Sequence, residues 1–390
     1  MKSIESVTAY SLMNKNEVVA TFTLEIRSGL VRITNICTLR VPFWIKDVGD
    51  FIAHRAAPRG REHIKELFVR SGCDNIKGFL DMTHALALTD TFWVKQADSD
   101  LEWEKVSLFC NPFNEVVAHT AFDGGMYGDN LSTPSPEYST DGTFAKCWIR
   151  EENQIKLLKR GSSGARNTGL EPYSEFYASQ VADAFSAEHV IYDIRNHNDR
   201  LCSVCNCFTN EQYGFVPFSM VSSKSLPADI IDEYSKRVGS KQLADMFIFD
   251  ALILNEDRHK GNFGFIFDTE TYEIVSAAPL FDHNVSLLCY AEKEDFNEKY
   301  IKSRMPKLYD SFVEIAKAVL YPDARRRLIN MKNFEFENNN KLALPEWRVE
   351  AFEHLIRNQI KLISDSFAMC CQMSLMSMYC SRVKKERYLD

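Results

Sequence analysis

The most constraining feature of this chain is the passage from KQLADMFIFDALIL, residues 241–254, into the charged turn NEDRHKG. A run this apolar and this long predicts a helix buried over most of its circumference. Such a helix needs others around it, and apolar residues at helical spacing recur in 310–321 and 346–367. The turn at 255–261 breaks the helix, and 262–267 with 273–276 predict a short hairpin closed by the polar DTETY. The last part of the chain is therefore expected to be a helical body built around one polar hairpin. With 390 residues, 45% hydrophobic and 26% charged, the chain can bury a sizeable core, and roughly two to three domains are expected. A wholly disordered, collagenous or small disulfide-stapled chain is excluded.

Charge and cysteine usage narrow the class further. Forty-six Lys and Arg against 54 Asp and Glu leave a formal charge of -8, so direct nucleic-acid binding is not expected. No run approaches the length of a membrane span, and MKSIESVTAYSLMNKNEV has no signal-like apolar core. A soluble, cytoplasmic protein is expected. The 11 cysteines are odd in number and mostly scattered, as in a reduced compartment. CSVCNC at 202–207 is a local cluster, but no second pair follows closely. A thiol-bearing strand is expected there rather than zinc.

The first half reads as mixed α/β. Residues 18–36 predict a hairpin turning at Ser28 and Gly29, 61–70 a helix with Ile64, Leu67 and Phe68 inward, 78–87 more helix, and 88–95 an extended stretch. Residues 111–142, rich in Gly, Pro, Asn, Ser and Thr, predict a long loop or linker. A second hairpin follows, 144–150 and 154–159, turning at 151–153. The segment 161–169 is a loop, and 172–185 a helix with Pro172 in its first turn. Residues 200–218 read as extended, and the tail RVKKERYLD as a solvated end.

Asp257 follows the buried helix, Asn262 comes five residues later at the start of a strand, and Asp282 lies across the hairpin in LFDHN. Phosphoryl transfer from ATP needs such a set: one carboxylate to orient or deprotonate the acceptor hydroxyl, a second to hold Mg²⁺, and an amide oxygen as a further ligand. Asp, Asn five residues on and a downstream Asp is the order of the protein-kinase template, here without a literal HRD or DFG. A phosphate-neutralising lysine and an acid to orient it are found upstream as Lys159 and Glu175, with Lys146 and Lys156 as alternatives for the lysine. STDGTF at 139–144, with Ser139, Gly142 and Thr143, can form a phosphate-covering turn. No P-loop or dinucleotide fingerprint occurs. Taken singly, each residue has a plainer use: Lys159 a solvated strand end, Glu175 a surface acid, Asp257 a turn cap paired with Arg258, Asp282 an acceptor for backbone donors, His259 a structural hydrogen bond. Their order together favours chemistry.

NEDRHKGNFGFI and PLFDHNVSL resemble the catalytic and metal-binding stretches of the HipA-like serine/threonine kinases, and STDGTFAKCW resembles their phosphate loop and following strand. The resemblance covers about 245–290 best and 135–220 next, and before 130 the usual N-terminal domain is not matched. It implies an α+β, two-lobed protein-kinase-like fold with a β-sheet in a mixed N-lobe and a mostly helical C-lobe. The expected division is 1–130, a divergent α/β region; 131–218, N-lobe and hinge; and 219–390, C-lobe. It implies ATP and Mg²⁺ as cofactors, Asp257 as catalytic residue, Lys159 on the nucleotide phosphates, and Asn262 and Asp282 as metal ligands. A protein with a Ser/Thr acceptor is the implied substrate. The best-known members are toxins held by a small antitoxin, and some phosphorylate a serine of the phosphate loop, here Ser139 or Ser135. The alternatives are a small-molecule or lipid kinase of the same fold, or a silent nucleotide-binding regulator.

Overall fold

The computed structural model describes residues 6–28, 30–125, 131, 133–164, 168–337, 341–342 and 344–365. Gly29 of the predicted turn and the tail after 365 lie outside them. In chain order the strands are β1 (Ser6–Asn14), β2 (Glu17–Arg27), β3 (Leu30–Thr38), β4 (Phe92–Gln96), β5 (Lys146–Glu151), β6 (Gln154–Arg160), β7 (Tyr192–His197), β8 (Arg200–Asn206), β9 (Tyr213–Pro217), β10 (Gly264–Asp268) and β11 (Ile274–Ala277). They form sheets of order β3-β2-β1-β4, β5-β6-β8-β7 and β11-β10-β9. Together with the helices they make an α+β protein, as expected.

The chain divides into two compact units. The first holds Met1–Ser162, Asn196–Val216 and Ile266–Glu273; the second holds Ser163–Arg195, Pro217–Phe265 and Ile274–Asp390.

In the first unit β1 runs antiparallel between β2 and β4. Tyr10 to Asn14 are buried without alternation, as a central strand covered on both faces requires. The β2–β3 hairpin turns through Ser28 at φ 51°. Helix Ile64–Arg70 forms where the apolar spacing placed it, with Ile64, Leu67 and Phe68 buried. The helix expected over 78–87 runs Ile76–Thr83 instead and stops where His84 and Ala85 take positive φ. The linker expected over 111–142 is instead broken by a helix, Glu115–Asp123, and a short 3-10 turn, Pro136–Tyr138. Asn114 caps the helix by accepting from the amides of Val116 and Val117, and Val117, Ala121 and Phe122 are buried. The β5–β6 hairpin turns through Glu152 and Asn153, both at positive φ, which suits a two-residue turn.

In the second unit the apolar helix Lys241–Ile253 is buried from Leu243 onward, and helices Glu171–Phe185, Phe312–Val319 and Glu346–Ser364 pack against it. Helices Pro227–Val238 and Pro322–Asn330, for which the sequence reading had no expectation, complete the helical body.

The eight cysteines among the described residues are free thiols. Cys202 and Cys205 lie on β8, with Cys202 beside Cys147, Leu158 and Phe122 in an apolar cluster. No helix among the described residues is long and apolar enough to cross a membrane.

Candidate active site

The buried helix ends with Leu254 in the left-handed region, φ 50°, a conformation that redirects the chain at a cost for a side chain of this size. The loop that follows carries Asp257 and is built on Arg258, whose side chain is 0% exposed. The Arg258 Nε and Nη2 atoms donate to the two oxygens of Asp250, each at 2.9 Å. Nη1 donates to the carbonyl of Asn262 at 2.7 Å and to that of Phe281 at 2.9 Å, and Nη2 lies 3.3 Å from His283 Nδ1. One guanidinium thus ties the helix, the Asn262 turn and the Asp282 loop together. Burial opposes its charge, but Asp250 holds its pKa above the ordinary arginine value.

Backbone bonds add to this frame. The amide of Glu256 donates to Val285 and that of Leu287 to Ile253. Asn255 accepts from the amide of Asp257 and donates from its side chain to Asp250. Asp282 adopts φ 59°, and its amide donates to the Tyr192 hydroxyl at 3.1 Å. A non-glycine residue held in this region stores strain, as at many functional positions. Asp257, Asn262 and Asp282 therefore sit on loops fixed by one buried network within the second unit.

Two plainer expectations are corrected here. Arg258 does not pair with Asp257; it pairs with Asp250, because a carboxylate buried in an apolar helix demands a charged partner. Asp257 pairs instead with Lys307. His259 takes part in a structural hydrogen bond, but as acceptor: its Nδ1 receives the Gly261 amide at 3.1 Å.

Asn262 is buried, yet its Nδ2 has no hydrogen-bond partner, and Asn284 Oδ1 is likewise buried without one. Asn284 Oδ1, two residues after Asp282, is an oxygen left over by the fold and offers the hard chemistry Mg²⁺ prefers; the leftover Asn262 atom is a donor. Among the described residues no group of three or more His, Cys, Asp or Glu could hold a metal. An ion here would rest on an Asp, an Asn and substrate oxygens.

Glu175 is 1% exposed rather than at the surface, in the helix Glu171–Phe185. That helix is tied to the segment after Asp282: Ser174 donates to the carbonyl of Ser286, and Tyr290 donates to Glu171.

The first unit carries the other candidates. Lys159 is 5% exposed, not a solvated strand end, and stands directly across the ladder from Lys146, which is equally buried. Lys156 sits on the same strand and pairs with Glu151. Two lysine side chains thus meet across one rung of the ladder. Lys146 Nζ donates to the carbonyl of Asp141 at 2.6 Å, inside the STDGTF turn. Gly142 has φ +92°, and a Cβ there would lie 2.3 Å from Lys146 Nζ, so the turn closes directly over that ammonium. Trp148 donates from its indole to Thr140 Oγ1, and Ser139 donates to the carbonyl of Pro136. Ser135 is buried and donates to Glu137.

The residues that sequence reasoning missed are those that hold the site rather than line it. Asp250 stood out only as a charge inside an apolar run, and its partner eight residues on could have been sought on that ground.

No protein-family model matches the chain. It is 24% identical over 212 residues to the serine/threonine-protein kinase CtkA of Helicobacter pylori; the match covers 50% of this chain and 63% of that relative's length. The crystal structure of the proinflammatory kinase CtkA of H. pylori aligns over 61% of this chain and 95% of its own, with a TM-score of 0.45 and 16% identity. HipA of Shewanella oneidensis, solved with HipB and operator DNA as a toxin–antitoxin system, aligns over 92% of this chain and 100% of its own, with a TM-score of 0.58 and 11% identity. The HipA likeness is one of fold. With the sequence relative, it supports the resemblance to HipA-like serine/threonine kinases.

Proposed function

We propose that this HipA-like chain is an ATP- and Mg²⁺-dependent serine/threonine protein kinase. The observation that carries the reading is the Arg258-centred frame that fixes the Asp257, Asn262 and Asp282 loops together. Asp257 would accept the proton of a substrate hydroxyl and aim its oxygen at the γ-phosphorus of ATP. Asn262 and Asp282 would hold magnesium, which supplies charge neutralisation on the phosphates. Lys159 and Lys146 would neutralise phosphate oxygens beneath the 139–144 turn, and Glu175 is the proposed acid of the same set. Lys307 would leave Asp257 as the acceptor hydroxyl arrives. An exposed pair of this kind adds little stability, so its rupture costs little.

The division into 1–130, 131–218 and 219–390, and the two-lobed arrangement, belong to the same proposal. So do autophosphorylation at Ser139 or Ser135, a cytoplasmic site of action and a small antitoxin-like partner. The chain matches 63% of its curated relative, and substrates are not carried over from it.

The test is labelled ATP with Mg²⁺ on the purified protein, followed by phosphoproteomic comparison of the active protein with D257A. Transfer to Ser or Thr that disappears in D257A and D282A is expected. Transfer retained in D257A removes its assigned role. Transfer only to lipids or metabolites moves the function to a small-molecule kinase, and nucleotide binding without transfer to any acceptor leaves a regulator.

A further inference from the structure

The 139–144 turn does not stand on its own strand alone. Arg61, buried and far upstream in sequence, donates from Nη1 to the carbonyl of Thr140 at 2.8 Å and from Nη2 to the carbonyl of Glu137 at 2.6 Å. The amide of Ala57 donates to Tyr138 at 2.7 Å, and the amide of Glu62 donates to Thr143 at 3.0 Å. Phe68 stacks on Tyr138 at 6.1 Å between ring centroids. From the other side the Glu137 carboxylate accepts the Trp148 amide and the Ser135 hydroxyl.

These bonds have a directional consequence. In a planar trans peptide the carbonyl and the next amide point opposite ways. Drawing the carbonyls of Thr140 and Thr143 toward residues 61 and 62 turns the amides of Asp141 and Phe144 the other way. That is how a turn presents N–H groups to an anion. Arg61 is an expensive way to build a mere loop. Its burial pushes the guanidinium pKa down to about 10, and its Nε has no partner. It still carries its charge at neutral pH.

We propose that residues 57–62 are the base of the nucleotide-phosphate turn, and that Arg61 is a positioning residue that sets affinity for the polyphosphate. The inference rests on the kinase reading above and extends it: a segment outside the kinase-like stretch of sequence becomes part of the nucleotide site. Arg61 touches no substrate. It acts through the carbonyls of Glu137 and Thr140.

Calorimetric titration of the full chain with Mg·ATP and, separately, with adenosine tests it. R61M should weaken ATP binding tenfold or more and leave adenosine within twofold. R61K, which keeps the charge and one donor, should recover part of the ATP affinity. General damage to the fold would weaken both ligands alike. Equal loss of both ligands, or unchanged ATP affinity in R61M, overturns the inference while wild-type binding leaves the kinase reading standing. If R61M does not fold, R61K decides: an ATP-selective loss supports the proposal, and wild-type ATP affinity or an equal loss of both ligands overturns it. Wild-type protein that binds neither ligand overturns the kinase reading and this inference with it.

Discussion

Arg258 and Asp250 both have fully inaccessible side chains, and removing one partner of such a pair leaves a lone charge in the core. R258M is expected to cost about 3–5 kcal/mol, read as a lowered urea midpoint. Replacing both, D250L with R258M, should restore much of that stability, since an apolar pair can fill the space. It should not restore phosphoryl transfer, because the Asn262 and Phe281 carbonyls lose their shared donor. A double variant both stable and active would show that the network serves folding only. At Gly142 the constraint is conformational: φ is +92°, which strains any side chain, and a methyl group would also push the Lys146 ammonium aside. G142A is expected to raise the KM for ATP several-fold while moving the melting temperature by only a few degrees, for a strain of about 1 kcal/mol.

At the scale of elements, the helix Glu115–Asp123 depends on its cap. N114A should cost about 1 kcal/mol, seen as a melting temperature lower by roughly 2–4 °C. That helix was read as linker because its flanks are rich in Asn, Pro and Gly, and turn chemistry outweighed a short apolar face. The Lys241–Ile253 helix was legible because every position from Leu243 is buried, so its composition alone marks it. The β5–β6 hairpin was legible from its alternation and its Glu-Asn turn. Strand β1 escaped because SVTAYSLMN alternates only in its first half; once central, it buries even Ser11 and Asn14. The candidate site follows the same division. Asp257, Asn262 and Asp282 were readable from order and spacing, which local sequence carries. Arg61 meets Thr140 across 79 positions, and no local pattern encodes such a partnership.

For the molecule as a whole, acid sensitivity follows from two histidines of the first unit. Burial lowers the pKa of both His63 and His84 below 6.5. The unfolded chain therefore binds more protons than the native one as pH falls through 6.5, and stability rises with pH across that window. The urea midpoint is expected to drop between pH 7 and 5.5, and H84Q should flatten the drop; an unchanged slope in H84Q would assign the effect elsewhere. On the proposed reading, the net charge of -8 sets the problem an anionic nucleotide would face, and Lys146 and Arg61, both bonded to carbonyls of the 137–141 segment, supply opposite charge at one turn. The same turn also has an optical consequence. Of the five tryptophans, Trp44, Trp93 and Trp103 are deeply buried and Trp347 is half-buried in the second unit, while the half-buried Trp148 hangs its indole on the Thr140 hydroxyl. The molecule therefore carries a fluorophore hydrogen-bonded to the turn proposed to cover the phosphates. Mg·ATP should change the emission of the native protein, and W148F should silence that signal.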